Sequence, residues 1–136
     1  IVASLNLKNW RNSMSPEKTA ILNELGKNYV HPEKGMSRTL MCFGYPGDGW
    51  FKILKDLFVQ LNKLKLHKDF EIIQIKEKFG QIRIYANFMF DEAEKLIDIA
   101  TKKADKTCEV CGKPGKLDES RSWMVTLCNK CKKENI

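Results

Sequence analysis

The sequence predicts an α+β fold in which a small antiparallel hairpin or sheet is flanked by helices. One observation is an apolar run with helical spacing between Trp50 and Leu64. A second is the alternation of apolar and polar residues between Phe70 and Asn87, which is typical of paired strands. The third is a pair of Cys-x-x-Cys motifs near the C-terminus, which predicts a small lobe organised around its cysteines.

An irregular lead followed by a helix is expected at the N-terminal end. Ser15 suits the N-cap of this helix, Pro16 its first position and Gly26 its end. The apolar pattern is weak from Lys27 to Tyr45. We therefore expect a loop there, with a short strand at Thr39–Phe43.

The second helix is the one that the sequence predicts most strongly. It follows a tight turn at Tyr45–Gly49, where Asp48 can act as the N-cap of a helix that begins near Gly49. Apolar residues then recur at spacings of three and four, which defines one wide buried face. These residues are Trp50, Ile53, Leu54, Leu57, Phe58, Leu61 and Leu64.

A β-hairpin and a third helix complete the predicted core. Ile73 and Ile75 alternate with polar residues, and Lys78–Gln81 supplies a glycine for the turn. The third helix is expected from about Asp91 to Ala104, because acidic residues begin it and lysines end it, as the helix dipole favours.

Four cysteines follow these elements with the spacing of a zinc site. Cys108 and Cys111 form one pair, and Cys128 and Cys131 form the other, sixteen residues later. This spacing is typical of Cys₄ zinc sites, whereas a redox dithiol needs only one pair. Four protein ligands leave no position for substrate, which predicts one structural Zn²⁺. A strand over Ser122–Leu127 would make this lobe a zinc ribbon or a treble-clef-like knuckle.

The predicted organisation is one integrated domain of 136 residues in three parts. Residues 1–44 form the lead and first helix, residues 45–106 an α-β-β-α core, and residues 107–136 the zinc knuckle lobe. The final lobe contains few apolar residues, so we expect it to depend on the metal for its order.

Other residues with reactive side chains have simpler explanations. Cys42 lies among apolar residues and is expected to be a buried, inert thiol. His31 and His67 are expected at the surface. Asp48 and Glu77 are candidate carboxylates for a small enzyme acting on a phosphorylated substrate, but no spacing marks them as a pair, and we assign no catalytic residue.

Basic residues are interleaved with aromatic ones along the hairpin, and further basic residues surround the cysteines. Such a surface can hold single-stranded nucleic acid through phosphate contacts and base stacking. The alternative is a solvated surface, and the sequence leaves both open. The candidate contact residues are Lys76, Lys78, Arg83, Tyr85, Lys113, Arg121 and Lys130.

The net charge and the use of cysteine indicate which partners and which cellular compartment to expect for the protein. The net charge is +7, and four thiolates around one Zn²⁺ contribute a net −2, which lowers it to +5. A basic protein favours anionic partners. The paired cysteines favour a reducing compartment, and we expect the cytoplasm. No apolar stretch approaches the ~18 residues of a membrane-spanning helix, so no membrane partner is expected.

Three segments resemble a group of small phage- and prophage-encoded proteins found in bacterial genomes. They are Tyr45–Phe51 (YPGDGWF), Ile75–Tyr85 (IKEKFGQIRIY) and Cys108–Gly115 (CEVCGKPG), and the resemblance extends over about Tyr45–Cys131. The resemblance implies a phage or mobile-element product that acts in the cytoplasm of a bacterial host cell. It brings no established activity with it.

The function expected from these observations is a zinc-stabilised, non-enzymatic binding protein. The phage-like context implies that its partner is a host or defence protein, which it binds or inhibits. A nucleic-acid-binding protein that uses the basic hairpin and the zinc lobe is the first alternative. The small enzyme on a phosphorylated substrate is the second.

Overall fold

The computed structural model describes residues 13–31 and 45–134. The predicted strand at Thr39–Phe43 and the Cys42 thiol lie outside these residues. Within them the chain forms four α-helices, α1 to α4, and four strands, β1 to β4. The helices are Pro16–Leu25, Phe51–Leu61, Asp91–Ala104 and Asn129–Glu134, and the strands are Glu71–Lys78, Gln81–Asn87, Lys116–Asp118 and Val125–Leu127. The α+β prediction is confirmed.

Helix α1 begins and ends as the sequence predicts. The Ser15 side chain accepts a hydrogen bond from the Lys18 N–H at 3.4 Å, Pro16 occupies the first position, and Gly26 follows the last turn. The predicted start and end of α2 each differ by a few residues. A 3₁₀ turn at Asp48–Trp50 precedes it, so the α-helix begins at Phe51 and not near Gly49.

Helix α2 ends at Leu61, although the apolar periodicity continues to Leu64. Asn62, the C-cap residue, uses its side chain for tertiary contacts: it donates to the Leu25 carbonyl at 2.9 Å and accepts from the Tyr29 hydroxyl at 2.9 Å. These bonds join α2 to the end of α1. Leu64 still packs against the core from the loop that follows.

Strands β1 and β2 form the predicted hairpin, but one residue of β1 is displaced. Phe79 and Gly80 both have positive φ, 56° and 78°, as a two-residue primed turn requires. The register shifts between Ile72 and Gln74. Because this bulge inserts Ile73, the predicted alternation along β1 is interrupted and the fully buried residue is Ile72.

The core lies between the inner face of this hairpin and helices α1, α2 and α3. Trp50, Tyr29 and Phe58 are fully buried within it, and the Tyr29 and Phe58 rings meet edge to face with centroids 5.6 Å apart. Burial raises the pKa of the Tyr29 and Tyr45 hydroxyls, and both hydroxyls donate hydrogen bonds inside the fold. Among residues 13–31 and 45–134, none of the helices combines the length and the apolar character that a bilayer-spanning segment needs.

The four cysteines lie in a small lobe at residues 107–134, called here the cysteine lobe. Its order is knuckle, hairpin and helix: Cys108–Gly112, then β3 paired with β4, then α4. This order is that of a treble-clef-like knuckle. The predicted strand over Ser122–Leu127 is shorter, since only Val125–Leu127 pairs with β3.

Candidate metal centre

The four cysteine sulfurs converge on one point. The Sγ atoms of Cys108, Cys111, Cys128 and Cys131 all lie within 4.8 Å of one another, and those of Cys111 and Cys128 are 3.6 Å apart. A disulfide would bring two sulfurs to about 2.0 Å, so these thiols are not bonded to each other. In a tetrahedron of thiolates about 2.3 Å from a metal ion, the sulfurs are ~3.8 Å apart. The four side chains therefore fit one metal ion.

Local backbone structure sets the position of each pair. Gly112 adopts φ +84°, and its N–H donates to the Cys108 carbonyl at 3.0 Å, which folds the first pair into a tight knuckle. Cys128 immediately precedes α4 and Cys131 lies in its first turn. The backbone N–H of Cys131 donates to Cys128 Sγ at 3.4 Å and lowers the pKa of this thiol to about 7. That bond favours the thiolate, the form in which cysteine binds metals.

The cysteine lobe contains little apolar material of its own. Its buried apolar cluster consists of three of the cysteines with Val125 and Leu127, and Val110 packs beside it. Two buried aliphatic side chains contribute only about 3–6 kcal/mol, which cannot offset the entropy of ordering some 28 residues. The lobe therefore depends on its metal ion and on its contacts with the rest of the chain.

The turn at Asp48–Trp50 is one of these contacts. The Gly49 N–H donates to the Glu109 carbonyl at 3.0 Å, and a Cβ at Gly49 would lie 2.0 Å from the Cys108 carbonyl oxygen. Only glycine allows the two backbones to approach so closely. The buried Trp50 indole N–H donates to the Thr107 carbonyl at 2.9 Å. The first cysteine pair is thus held directly against the start of α2.

The tip of the β1–β2 hairpin is a second contact. The Thr126 hydroxyl donates to the Gly80 carbonyl at 2.7 Å, and the Leu117 side chain covers Gly80 so closely that a Cβ there would be 2.6 Å away. On the inner side of the lobe, the buried carboxylate of Glu109 accepts from the Thr126 N–H at 3.0 Å. Hairpin tip, β4 and knuckle are therefore linked through Thr126.

The three segments that carry the phage-protein resemblance meet at this lobe. Tyr45–Phe51 holds the knuckle through Gly49 and Trp50, Ile75–Tyr85 supplies the hairpin tip, and Cys108–Gly115 forms the knuckle itself. In this chain, contacts with the cysteine lobe account for Gly49, Trp50 and Gly80. The resemblance itself stays a prediction.

Four of the candidate nucleic-acid contacts lie together on the outer face of the β1–β2 hairpin. The register pairs Lys76 with Arg83 across the strands, with Tyr85 and Lys78 on the neighbouring pairs. Because Ile75 and Ile82 of the alternate pairs are fully buried, these four side chains point away from the core. The Lys76 ammonium lies 5.9 Å from the centre of the Tyr85 ring.

The three candidates on the cysteine lobe differ in their surroundings. Lys113 and Lys130 are exposed. Arg121 is engaged within the lobe: its Nε donates to Asp118 at 2.7 Å and its NH2 group to the Lys132 carbonyl of α4 at 2.8 Å. Hydrogen bonds from Ser120 and Arg121 lower the pKa of the buried Asp118 carboxyl. Arg121 thus joins β3 to α4, a role that its sequence position did not indicate.

The two candidate carboxylates have structural partners. Asp48 accepts from the Ser15 N–H at 2.8 Å and lies 3.5 Å from the Lys18 ammonium, which ties the start of α1 to the Gly-Asp-Gly turn. Glu77 accepts from the Gly80 N–H at 2.8 Å and so fixes the hairpin turn. These hydrogen bonds and this ion pair give Asp48 and Glu77 structural roles that require no catalytic function.

Sequence reasoning missed the roles of two residues, one in the cysteine lobe and one at the surface. Glu109 lies between the first two cysteines, where no sequence pattern marks a role for it, yet it is buried and hydrogen-bonded. Phe88 is exposed at φ +58°, and the His67 ring stacks on it. No local pattern signals either contact, because each joins residues far apart in the chain. His67 itself is exposed, as predicted.

The metal centre and the outer face of the hairpin are the two candidate functional features of the described residues. No family model, curated protein or solved structure matches this chain.

Proposed function

We propose that the four cysteines hold one Zn²⁺ and that this ion is structural. The donors are soft thiolates, the sulfur spacing fits a tetrahedron, and four protein ligands fill it. The fold of the lobe supports this role, because its own apolar cluster is small. Zinc would then supply the free energy that shapes the knuckle and positions it against Gly49 and Gly80.

Metal analysis of the purified protein tests this step. We expect one zinc per chain. Removal of zinc by a chelator should collapse the amide resonances of residues 107–134 while those of α2 and α3 keep their dispersion. Protein without zinc, or with thiols that are freely reactive or paired as disulfides, would contradict the proposal.

We further propose that the protein is a non-enzymatic binding protein whose binding surface is the outer face of the β1–β2 hairpin. One observation carries this proposal: the outward positions of the hairpin collect three cations and an aromatic ring, and none of them is acidic. These positions are Gln74, Lys76, Lys78, Gln81, Arg83 and Tyr85. The structural roles of Asp48 and Glu77 also support a function without catalysis.

Single-stranded nucleic acid is the partner that this face fits best. The outward pairs extend over about 14 Å of strand, and Tyr85 is 44% exposed, so a base can stack on its ring. Lys76, Lys78 and Arg83 can contact the phosphates on either side. Three such contacts correspond to a slope of about −2 when log affinity is plotted against log salt for a single strand.

Fluorescence anisotropy with a labelled oligonucleotide of about 15 nucleotides tests the partner. Lys76→Ala and Arg83→Ala should each weaken binding and reduce the salt slope by about 0.7. Lys95→Ala is the matched control: it removes the same charge from an exposed position of α3, which packs against the opposite face of the hairpin. Absence of binding by the wild type at low salt would overturn this choice of partner.

A host or defence protein in the bacterial cytoplasm is the second candidate partner. It is favoured by two exposed apolar side chains at the junction of hairpin tip and cysteine lobe, Phe79 (54% exposed) and Leu117 (44%). Affinity capture from bacterial lysate should then recover a partner that Phe79→Ala no longer binds. Recovery of nothing above background, or equal recovery by Phe79→Ala, would contradict a protein interface at this tip.

A further inference from the structure

Phe88, immediately after β2, has an unusual combination of backbone conformation and exposure. Its φ is +58°, a region that bulky residues rarely occupy, and its side chain is 56% exposed. A glycine or asparagine would suit this conformation better, and a phenylalanine would normally be buried. Strained residues of this kind concentrate at binding sites.

The His67 ring supports Phe88 from one side. The two rings are parallel within 5°, with centroids 4.8 Å apart. The imidazole is itself held by a hydrogen bond, since the Asp69 N–H donates to His67 Nδ1 at 2.9 Å. The hydrogen-bonded His67 ring therefore packs against one face of Phe88. More than half of Phe88 remains exposed, which leaves the opposite ring face open.

Two hollows of different polarity adjoin this stack, and His67 lines both. An apolar hollow of about 430 Å³ is bounded by Phe88, Met89 and Phe90. A more polar one of about 320 Å³ is bounded by side chains that include Asn28 and Asn62. A ligand that is a flat ring with apolar faces and a polar edge complements these two hollows.

The charges around the stack favour an anionic ligand. Lys65 lines the apolar hollow and Lys68 the polar one, and both are exposed. Within the described part of the chain neither ammonium forms an ion pair with a carboxylate. The neighbouring acidic group, Asp69, faces His67, with Oδ2 3.9 Å from its Nδ1.

We propose that the His67–Phe88 stack is a nucleobase-binding site. A base of a single strand stacks on the open face of Phe88, and Lys65 and Lys68 contact the adjacent phosphates. The inference rests on the proposed nucleic-acid function and extends it, because Phe88 follows Tyr85 by three residues, about 10 Å of extended chain.

Substitutions at Phe88 separate stacking from simple apolar contact. In the anisotropy assay with the same labelled oligonucleotide, Phe88→Leu should raise Kd by about 5- to 140-fold, the range of one lost base stack, whereas Phe88→Trp should retain wild-type affinity. Neither change should alter the salt slope, because neither removes a charge. Circular dichroism and zinc content verify that the variants are folded.

The outcomes distinguish this site from the hairpin surface. If Lys76→Ala weakens binding but Phe88→Leu binds like the wild type, the stacking site is wrong and the hairpin proposal stands. If the wild type binds no oligonucleotide, the proposed function fails and this inference fails with it.

Discussion

Replacement of Gly49 by alanine tests whether the cysteine lobe is positioned by its contact with the core. The added methyl group would lie 2.0 Å from the Cys108 carbonyl oxygen and 2.6 Å from the Glu109 carbonyl carbon. Both are backbone atoms that cannot rotate away. An ordinary contact needs about 3.5 Å, so the knuckle must withdraw by roughly 1.5 Å.

The expected cost follows from the two interactions that this movement disturbs. Forced overpacking costs about 1–3 kcal/mol. The hydrogen bond from Gly49 to the Glu109 carbonyl, 3.0 Å long, would also break, at about 1 kcal/mol. The sum is about 2–4 kcal/mol. Because folding of the lobe and metal binding are coupled, the same free energy should weaken zinc affinity by about 30- to 700-fold.

Zinc transfer to a chromophoric chelator measures this effect. Gly26→Ala is the matched control, since its added methyl meets only side-chain atoms of Phe58 and Val30, at 3.1 Å, within the helical core. Gly49→Ala should release zinc readily, whereas Gly26→Ala should lower overall stability slightly and keep wild-type zinc affinity. Wild-type affinity in Gly49→Ala would refute the idea that this approach positions the knuckle.

Three further substitutions test individual contacts. Thr126→Val keeps the side-chain shape but removes the hydroxyl that donates to the Gly80 carbonyl. It should destabilise the lobe by about 1–3 kcal/mol in urea unfolding. Thr126→Ser, which keeps the hydroxyl, should retain more of this stability. Arg121→Ala should raise amide exchange in α4 without changing the salt slope of nucleic-acid binding, and a reduced slope would show that Arg121 contacts phosphate instead. Tyr29→Phe should cost about 1 kcal/mol of stability, because the Asn62 side chain loses its donor, and an unchanged urea midpoint would contradict that role.

Local patterns were sufficient for the elements whose stabilising interactions are local. Helix α3 runs from Asp91 to Ala104 as predicted, with acidic residues at its start and lysines at its end. The start of α1 follows from Ser15 and Pro16, and the hairpin turn follows from Gly80. The cysteine cluster was predicted from spacing alone, because metal ligands need a fixed number of intervening residues to converge.

Local patterns failed where a distant residue decides the outcome. Helix α2 ends before Asn62, and the Asn62 side chain bonds to Tyr29 and Leu25, 33 and 37 residues away. Because of the bulge at Ile73, the fully buried residue at this point of β1 is Ile72, which simple alternation from Ile75 cannot anticipate. In both cases the structure departs from a periodicity that continues in the sequence.

Periodicity, capping and ligand spacing act over a few residues, so the α+β class, the principal helices, the hairpin and the set of four cysteines follow from the sequence. The roles of the Gly-Asp-Gly turn and the hairpin tip depend instead on tertiary contacts: Gly49 and Gly80 admit the backbone and side chains of the cysteine lobe. The same folding places Lys76 and Arg83 on one face and stacks His67 on Phe88. Such juxtapositions depend on how the chain returns on itself, which no short segment encodes.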